Sequence, residues 1–132
     1  MSDIAVVGSL NMDLVVRAER IPRPGETVHG AGFTTIPGGK GANQAAAAAR
    51  VGAEVEMIGR VGDDEFGASI LENMRAQGVG TSHIVRDAEA ASGIAMIVVD
   101  RAGENSIVVA PGANGRVTMQ DIADHCGVSR IT

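Results

Sequence analysis

Pro37-Gly38-Gly39-Lys40-Gly41-Ala42-Asn43-Gln44 runs without a break into Ala45-Ala46-Ala47-Ala48-Ala49-Arg50. Glycine lets a backbone turn sharply and lets a ligand approach main-chain N–H groups. Alanine is the strongest helix former. The stretch therefore predicts a glycine turn opening into a helix over Lys40 to Val51, ended by Gly52. The first turn of a helix carries unpaired N–H groups, so such a turn can deliver an oxygen-rich ligand to it. The alanine run is apolar on every side, which predicts burial against a sheet.

The flanking sequence supplies that sheet. Upstream, Ile4-Ala5-Val6-Val7 is a short apolar run of the kind buried on both faces in a parallel sheet. Downstream, Glu54 to Val61 reads as a second strand, Gly62-Asp63-Asp64 as a turn with an N-cap candidate, and Glu65 to Gln77 as a second helix closed by Gly78. Strand–helix–strand–helix order predicts an α/β fold with a doubly wound, mainly parallel sheet. Leu14 to Val16 and the Thr- and Gly-rich stretch Thr27 to Ile36 read as strands outside the main core, a flap over a site. Thr81 to Arg86, Ser92 to Val99 and Ser106 to Ala110 are further strands, the last two joined by a hairpin loop, Asp100 to Asn105. Pro111 to Gly115 is a loop, and Thr118 caps a short helix, Met119 to His125.

Composition removes several function classes. A chain of 132 residues with 45% hydrophobic residues can bury one core. Aromatics are 2%, with no Trp or Tyr, so stacking platforms for single-stranded nucleic acid are not expected. A net charge of −5 argues against broad binding to a phosphate backbone. The single cysteine, Cys126, excludes an internal disulfide. Met1-Ser2-Asp3 does not open a signal peptide and no apolar run is long enough to span a bilayer, so a cytoplasmic protein without a membrane partner is expected.

The glycine turn is not a known phosphate motif. A Walker loop needs a glycine where Thr34 stands and Ser or Thr where Gly41 stands. The dinucleotide fingerprint is absent after Val7, which is followed by Gly8-Ser9-Leu10. His29, His83 and His125 are widely spaced and read as surface or loop histidines, so no metal site is expected. Polar, neutral recognition remains. Asn11 and Asp13 follow the first strand, where α/β sheets bind ligands, although turn chemistry explains the same residue types. Asn11 donates and accepts, Asp13 accepts from vicinal hydroxyls, Gly38 and Gly39 admit a flat ring, and Asn43 on the first helical turn reaches the same space. A polyhydroxyl ligand needs such a set, because each buried hydroxyl must find a partner.

Several motifs in fixed order carry a family resemblance. They are Gly8-Ser9-Leu10-Asn11-Met12-Asp13, then Pro22-x-Pro24-Gly25-Glu26-Thr27, then Gly38-Gly39-Lys40-Gly41-Ala42-Asn43-Gln44-Ala45. Gly59-x-Val61-Gly62-Asp63-Asp64-x-Phe66-Gly67, Gly103-Glu104-Asn105 and Pro111-Gly112-Ala113-Asn114 follow. Together they resemble the N-terminal half of the ribokinase-type, phosphofructokinase-B-type carbohydrate kinases, to about Thr118. The resemblance implies a ribokinase-like fold with a β-strand lid and ATP-dependent phosphorylation of the 5-hydroxyl of D-ribose. It implies that Asn11 and Asp13 hold ribose hydroxyls and that Gly38, Gly39, Lys40 and Asn43 line the same pocket. The lid, built from Leu14 to Val16, Thr27 to Ile36 and Ser92 to Val109, would exclude water and pair two subunits into a homodimer.

Members of that family run to roughly twice this length. The resemblance places the general-base Asp, in a Gly-Ala-Gly-Asp signature, beyond residue 132, with the ATP, Mg2+ and K+ sites. Gly30-Ala31-Gly32-Phe33 opens like that signature, with Phe33 in place of the Asp. The expectation is the sugar-binding half of a sugar kinase, without catalytic residues or kinase activity of its own. A non-catalytic sugar-binding or dimerising fragment is the alternative. Residues 1–117 form the kinase-like portion and 118–132 a helical tail. The tail, Val117 to Thr132, resembles both the kinase's own helix and the start of a LacI-type helix-turn-helix with its Gly127-Val128-Ser129 turn. The second likeness implies a fusion remnant with a regulator, and DNA as a partner.

Overall fold

The computed structural model describes residues 2–126. Its body is built on one strand, β4 (Val55–Gly62), whose residues are buried except Glu56 and Arg60. Burial on both faces explains its near-continuous apolar run. β1 (Ile4–Val7) pairs parallel to it from Ile4↔Val55 to Val7↔Ile58. On the other edge β5 (Val79–Gly80) and then β6 (Ile84–Asp87) pair parallel with successive halves of β4. α1 (Lys40–Arg50) precedes β4 and α2 (Glu65–Ala76) follows it, giving the expected crossovers. Leu10, Met57, Val61, Ile70 and Met74 make the fully buried centre.

Two expectations are corrected in this body. α1 buries one face only: Gly41, Ala42, Ala45 and Ala46 are buried, whereas Ala47 is exposed. Composition allowed burial all round, but the sheet covers a single stripe. β1 is not buried on both faces. It pairs only with β4 among the described residues, and Ile4 and Val7 are 40% and 48% exposed.

The second sheet is the lid. β2 (Asn11–Ala18), β3 (Gly30–Gly38), β7 (Gly93–Val99) and β8 (Asn105–Ala110) lie in the order β3-β2-β7-β8. β2 is antiparallel to β3 and parallel to β7, and β7 and β8 form the expected hairpin. Every residue of β8 and the first seven of β3 are exposed, so this part of the sheet stands clear of the core. Gly30-Ala31-Gly32-Phe33 is lid strand, and Phe33 pairs with Val16. The expected strand at Leu14 begins earlier, at Asn11, and the one at Thr27 begins later, at Gly30.

Two polar clamps join the parts. The Asp64 carboxylate caps α2 by accepting from Gly67 N–H at 2.8 Å. It also accepts from the Ser92 N–H and hydroxyl at 2.9 and 2.7 Å, fixing the entry to β7. Burial pushes the Asp64 carboxyl up, but these hydrogen bonds outweigh it and hold it below the usual range. In the other clamp, Arg60 makes a bidentate pair with Asp121 (2.8 and 2.9 Å) and reaches Asp87 at 3.0 Å. Arg116, at the end of a 3-10 helix over Gly112–Arg116, reaches Asp87 at 2.6 Å. Asp121 lies in α3 (Met119–His125) and forms a capping box with Thr118. The Gly127-Val128-Ser129 turn of the tail lies outside the described residues.

Candidate functional site

The glycine turn lies against the start of β2, because two glycines remove the side chains between them. A Cβ on Gly41 would sit 2.8 Å from Gly8 and Ser9 backbone atoms, and one on Gly8 2.9 Å from Gly41 Cα. Gly39 has φ +101, a conformation that favours glycine, and a Cβ there would meet Ser9 O at 2.6 Å. In this close packing Ala42 N–H donates to Ser9 O at 3.0 Å. A first-turn amide of α1 is therefore used by the protein itself, which corrects the picture of a helix N-terminus held open for a ligand.

β2 sorts its side chains by the two-residue period of a strand. Met12 is buried in the core and Leu14 packs against it. Asn11 and Asp13 take the opposite face, half-buried. Both are strand residues, which excludes the turn-chemistry reading of them. Asn11 is opposite Gly38 on β3 and Gly93 on β7. Each glycine gives its space to a polar group. A Cβ on Gly38 would stand 2.7 Å from Asp13 Oδ2, and one on Gly93 would run into the Asn11 and Asn114 amides.

Asn114 then fixes which way Asn11 faces. Leu10 N–H donates to Asn114 Oδ1 at 2.9 Å, so the other end of that amide is its NH2 group. That group donates to Leu10 O at 3.1 Å and to Asn11 Oδ1 at 2.7 Å. Asn11 thus spends its oxygen on Asn114, and its own NH2 makes no hydrogen bond among the described residues. Asp13 beside it makes no hydrogen bond or ion pair among the described residues, and burial alone pushes its carboxyl up. One face of β2 therefore presents an amide donor and a desolvated, unpartnered carboxylate, the complement of neighbouring hydroxyls.

Asn11, Asp13, Gly38 and Gly39 come together as expected. Lys40 and Asn43 lie beyond the turn on α1, both exposed, with no hydrogen bond to Asp13. Asn43 lines a groove of about 250 Å³ with Ile36, Gly38, Ile70 and Asn73. A larger, mostly apolar cavity of about 480 Å³ lies between Asp64, Phe66, Ser92 and Ala110 and contains none of the candidate residues. Asn114 is the residue that sequence reasoning missed. It stood in a motif read as a loop, and only the fold brings it to Leu10. Among the described residues no helix is long and apolar enough to cross a membrane.

Comparison with known proteins bears on this arrangement. The family model for pfkB family carbohydrate kinases matches residues 1–128. Ribokinase of Bacillus subtilis strain 168 is 53% identical over 118 residues, covering 89% of this chain and 40% of that protein. Ribokinase of Giardia lamblia superposes with a TM-score of 0.86 at 37% identity, over 97% of this chain and 39% of the other. Arabidopsis thaliana ribokinase, solved with ribose and ATP, gives a TM-score of 0.79 at 36% identity, over 86% and 37%. The chain thus spans about two-fifths of the length of the relatives it matches.

Proposed function

The chain belongs to the pfkB family of carbohydrate kinases, and on that premise we propose that it is the sugar-binding part of a ribokinase-type enzyme. The substrate of this reading is D-ribose, phosphorylated on its 5-hydroxyl at the expense of ATP by the complete enzyme. The observation that carries it is the unpartnered, desolvated Asp13 carboxylate on the same strand face as Asn11, whose NH2 is free of hydrogen bonds among the described residues. Asp13 accepts from two sugar hydroxyls and Asn11 donates to one, while Gly38 and Gly39 leave room for the ring. Lys40 and Asn43 approach from α1 as the lid closes over the sugar. Closure keeps water from competing with the sugar hydroxyl.

The described residues around Asn11 and Asp13 do not fit ATP, Mg2+ or K+. They offer one carboxylate, an exposed lysine and a first-turn amide already bound to Ser9 O. The 132 residues also contain no Gly-Ala-Gly-Asp. The chain by itself therefore binds the sugar without phosphorylating it. The exposed apolar edge of β1 offers a place for further strands of the sheet. Exposed Phe33, Ile36, Met96, Ile107 and Val108 on the lid suit burial against a second subunit. The tail is read as the kinase's own helix, because Asp121 both caps α3 and pairs with Arg60 of the body. The test is an ADP-release assay on the purified chain with saturating ribose, ATP, Mg2+ and K+. No turnover is expected. Ribose-dependent ADP release would overturn the assignment of this chain as the binding part alone.

A further inference from the structure

Away from the Asn11–Asp13 face, three elements bring metal-ligating side chains together. Glu56 on β4, His83 in the turn between β5 and β6, and His125 at the end of α3 each offer one ligand atom, all within 4.8 Å of one another. The three residues are half-buried. The two imidazoles meet edge to face, with centroids 4.7 Å apart and planes at 87°. His125 Nδ1 is buried and has no hydrogen-bond partner among the described residues, a state that native structures avoid unless something else occupies the group. Glu56 ion-pairs with no Lys or Arg among the described residues. Its carboxylate lies over Gly80, where a Cβ would come within 2.6 Å of Oε1, and its side-chain contact is a long one, 3.3 Å from the Ser82 hydroxyl. The strand pairing Glu56↔Gly80 holds it there.

We propose that Glu56, His83 and His125 form a binding site for a divalent first-row transition metal, with Zn2+ the best match. Two imidazoles and one carboxylate are a zinc donor set, whereas Mg2+ and Ca2+ prefer oxygen ligands throughout. Ligand atoms around a tetrahedral zinc stand roughly 3.4 Å apart for bonds of about 2.1 Å. Small rotations of the two rings and the carboxylate close the gap from the present spacing. A fourth position stays open to water. The ligands are distant in the chain, so no spacing motif reveals them, and the strand pairing and α3 make the site. Bound metal ties α3 to β4 and to the β5–β6 turn, on a different side chain set from the Arg60–Asp121 clamp.

The test is titration of the full chain, stripped with chelator, with ZnCl2 by calorimetry and with CoCl2 by visible absorption. One Zn2+ per chain is expected, with micromolar affinity, and Co2+ is expected to show visible bands of a low-coordinate site. Glu56→Gln and His83→Gln should each weaken binding at least about tenfold, in samples whose circular dichroism matches the parent. Zn2+ should raise the unfolding temperature of the parent and not of the variants. Cys126→Ser and His29→Gln should leave affinity unchanged. No saturable binding below about 100 µM would overturn the proposal, and so would binding that survives the Glu56→Gln/His83→Gln pair or is lost with Cys126→Ser or His29→Gln alone.

Discussion

Burial makes the charge on the Asp13 carboxylate more costly and pushes its carboxyl up, and no hydrogen bond or ion pair among the described residues offsets that cost. The folded state then gains nothing from the Asp13 charge at neutral pH. Asp13→Asn is therefore expected to leave the unfolding temperature unchanged or raise it, read by differential scanning calorimetry at pH 7. A fall of several degrees would mean that Asp13 has a structural partner. Asn114 is the opposite case. Leu10 is fully buried, and both of its backbone polar groups end on the Asn114 amide. Asn114→Ala leaves two buried groups unpaired at about 1–3 kcal/mol each, so urea unfolding should show a loss of about 2–6 kcal/mol. Asn11 and Asp13 were legible in the sequence, since they follow a strand in a chain that lacks phosphate motifs. Asn114 was not, because its role depends on a register between β2 and β7 that no local pattern contains.

The ordered glycine motifs have an explanation at the level of elements. Gly8 and Gly41 let α1 sit directly on the β1–β2 turn. Gly67 lets α2 start against the Gly62 carbonyl, and Gly103, at φ +83, turns the lid hairpin. Gly41→Ala forces α1 away from Ser9, and about 1–3 kcal/mol of stability should go with it, as for other overpacked contacts. Thermal unfolding beside Gly32→Ala, where a Cβ meets nothing within 4 Å, checks this. α3 depends on charge instead. Arg116 first, then the Glu89 N–H and Arg60, hold Asp87 down to about 2, and Arg60 holds Asp121 below the usual range. Both folded values lie below the unfolded one of about 3.9. Their stabilisation is present above that value and disappears as pH falls through the folded one. Stability should drop between about pH 4 and pH 2, and the drop should be smaller in Arg116→Ala. Identical acid profiles for the two proteins would contradict this. The helices and long strands were legible because their periodicity and caps are local. β5, two residues long, and the one-sided burial of the alanine run were not, since both depend on what packs against them.

At the scale of the whole molecule the body and the lid have different stability sources. The body has its core around β4, while the far parts of β3 and β8 are exposed throughout. Exposed strands of that kind open more readily than a buried core. The β-lid architecture was legible from the Thr- and Gly-rich stretch and the hairpin loop. Its strand order was not, because β2 pairs parallel with β7 across most of the chain. The Asn11–Asp13 face lies at the start of β2, where the lid sheet leaves the body, and it is the proposed sugar site. Isothermal titration calorimetry of the purified chain with D-ribose measures sugar binding at this face. Saturable binding of one ribose per chain is expected, weakened about 10- to 100-fold in Asp13→Asn, the loss expected for hydrogen bonds to a charged acceptor. No detectable ribose binding by the folded parent chain, or the same affinity in Asp13→Asn, would contradict it.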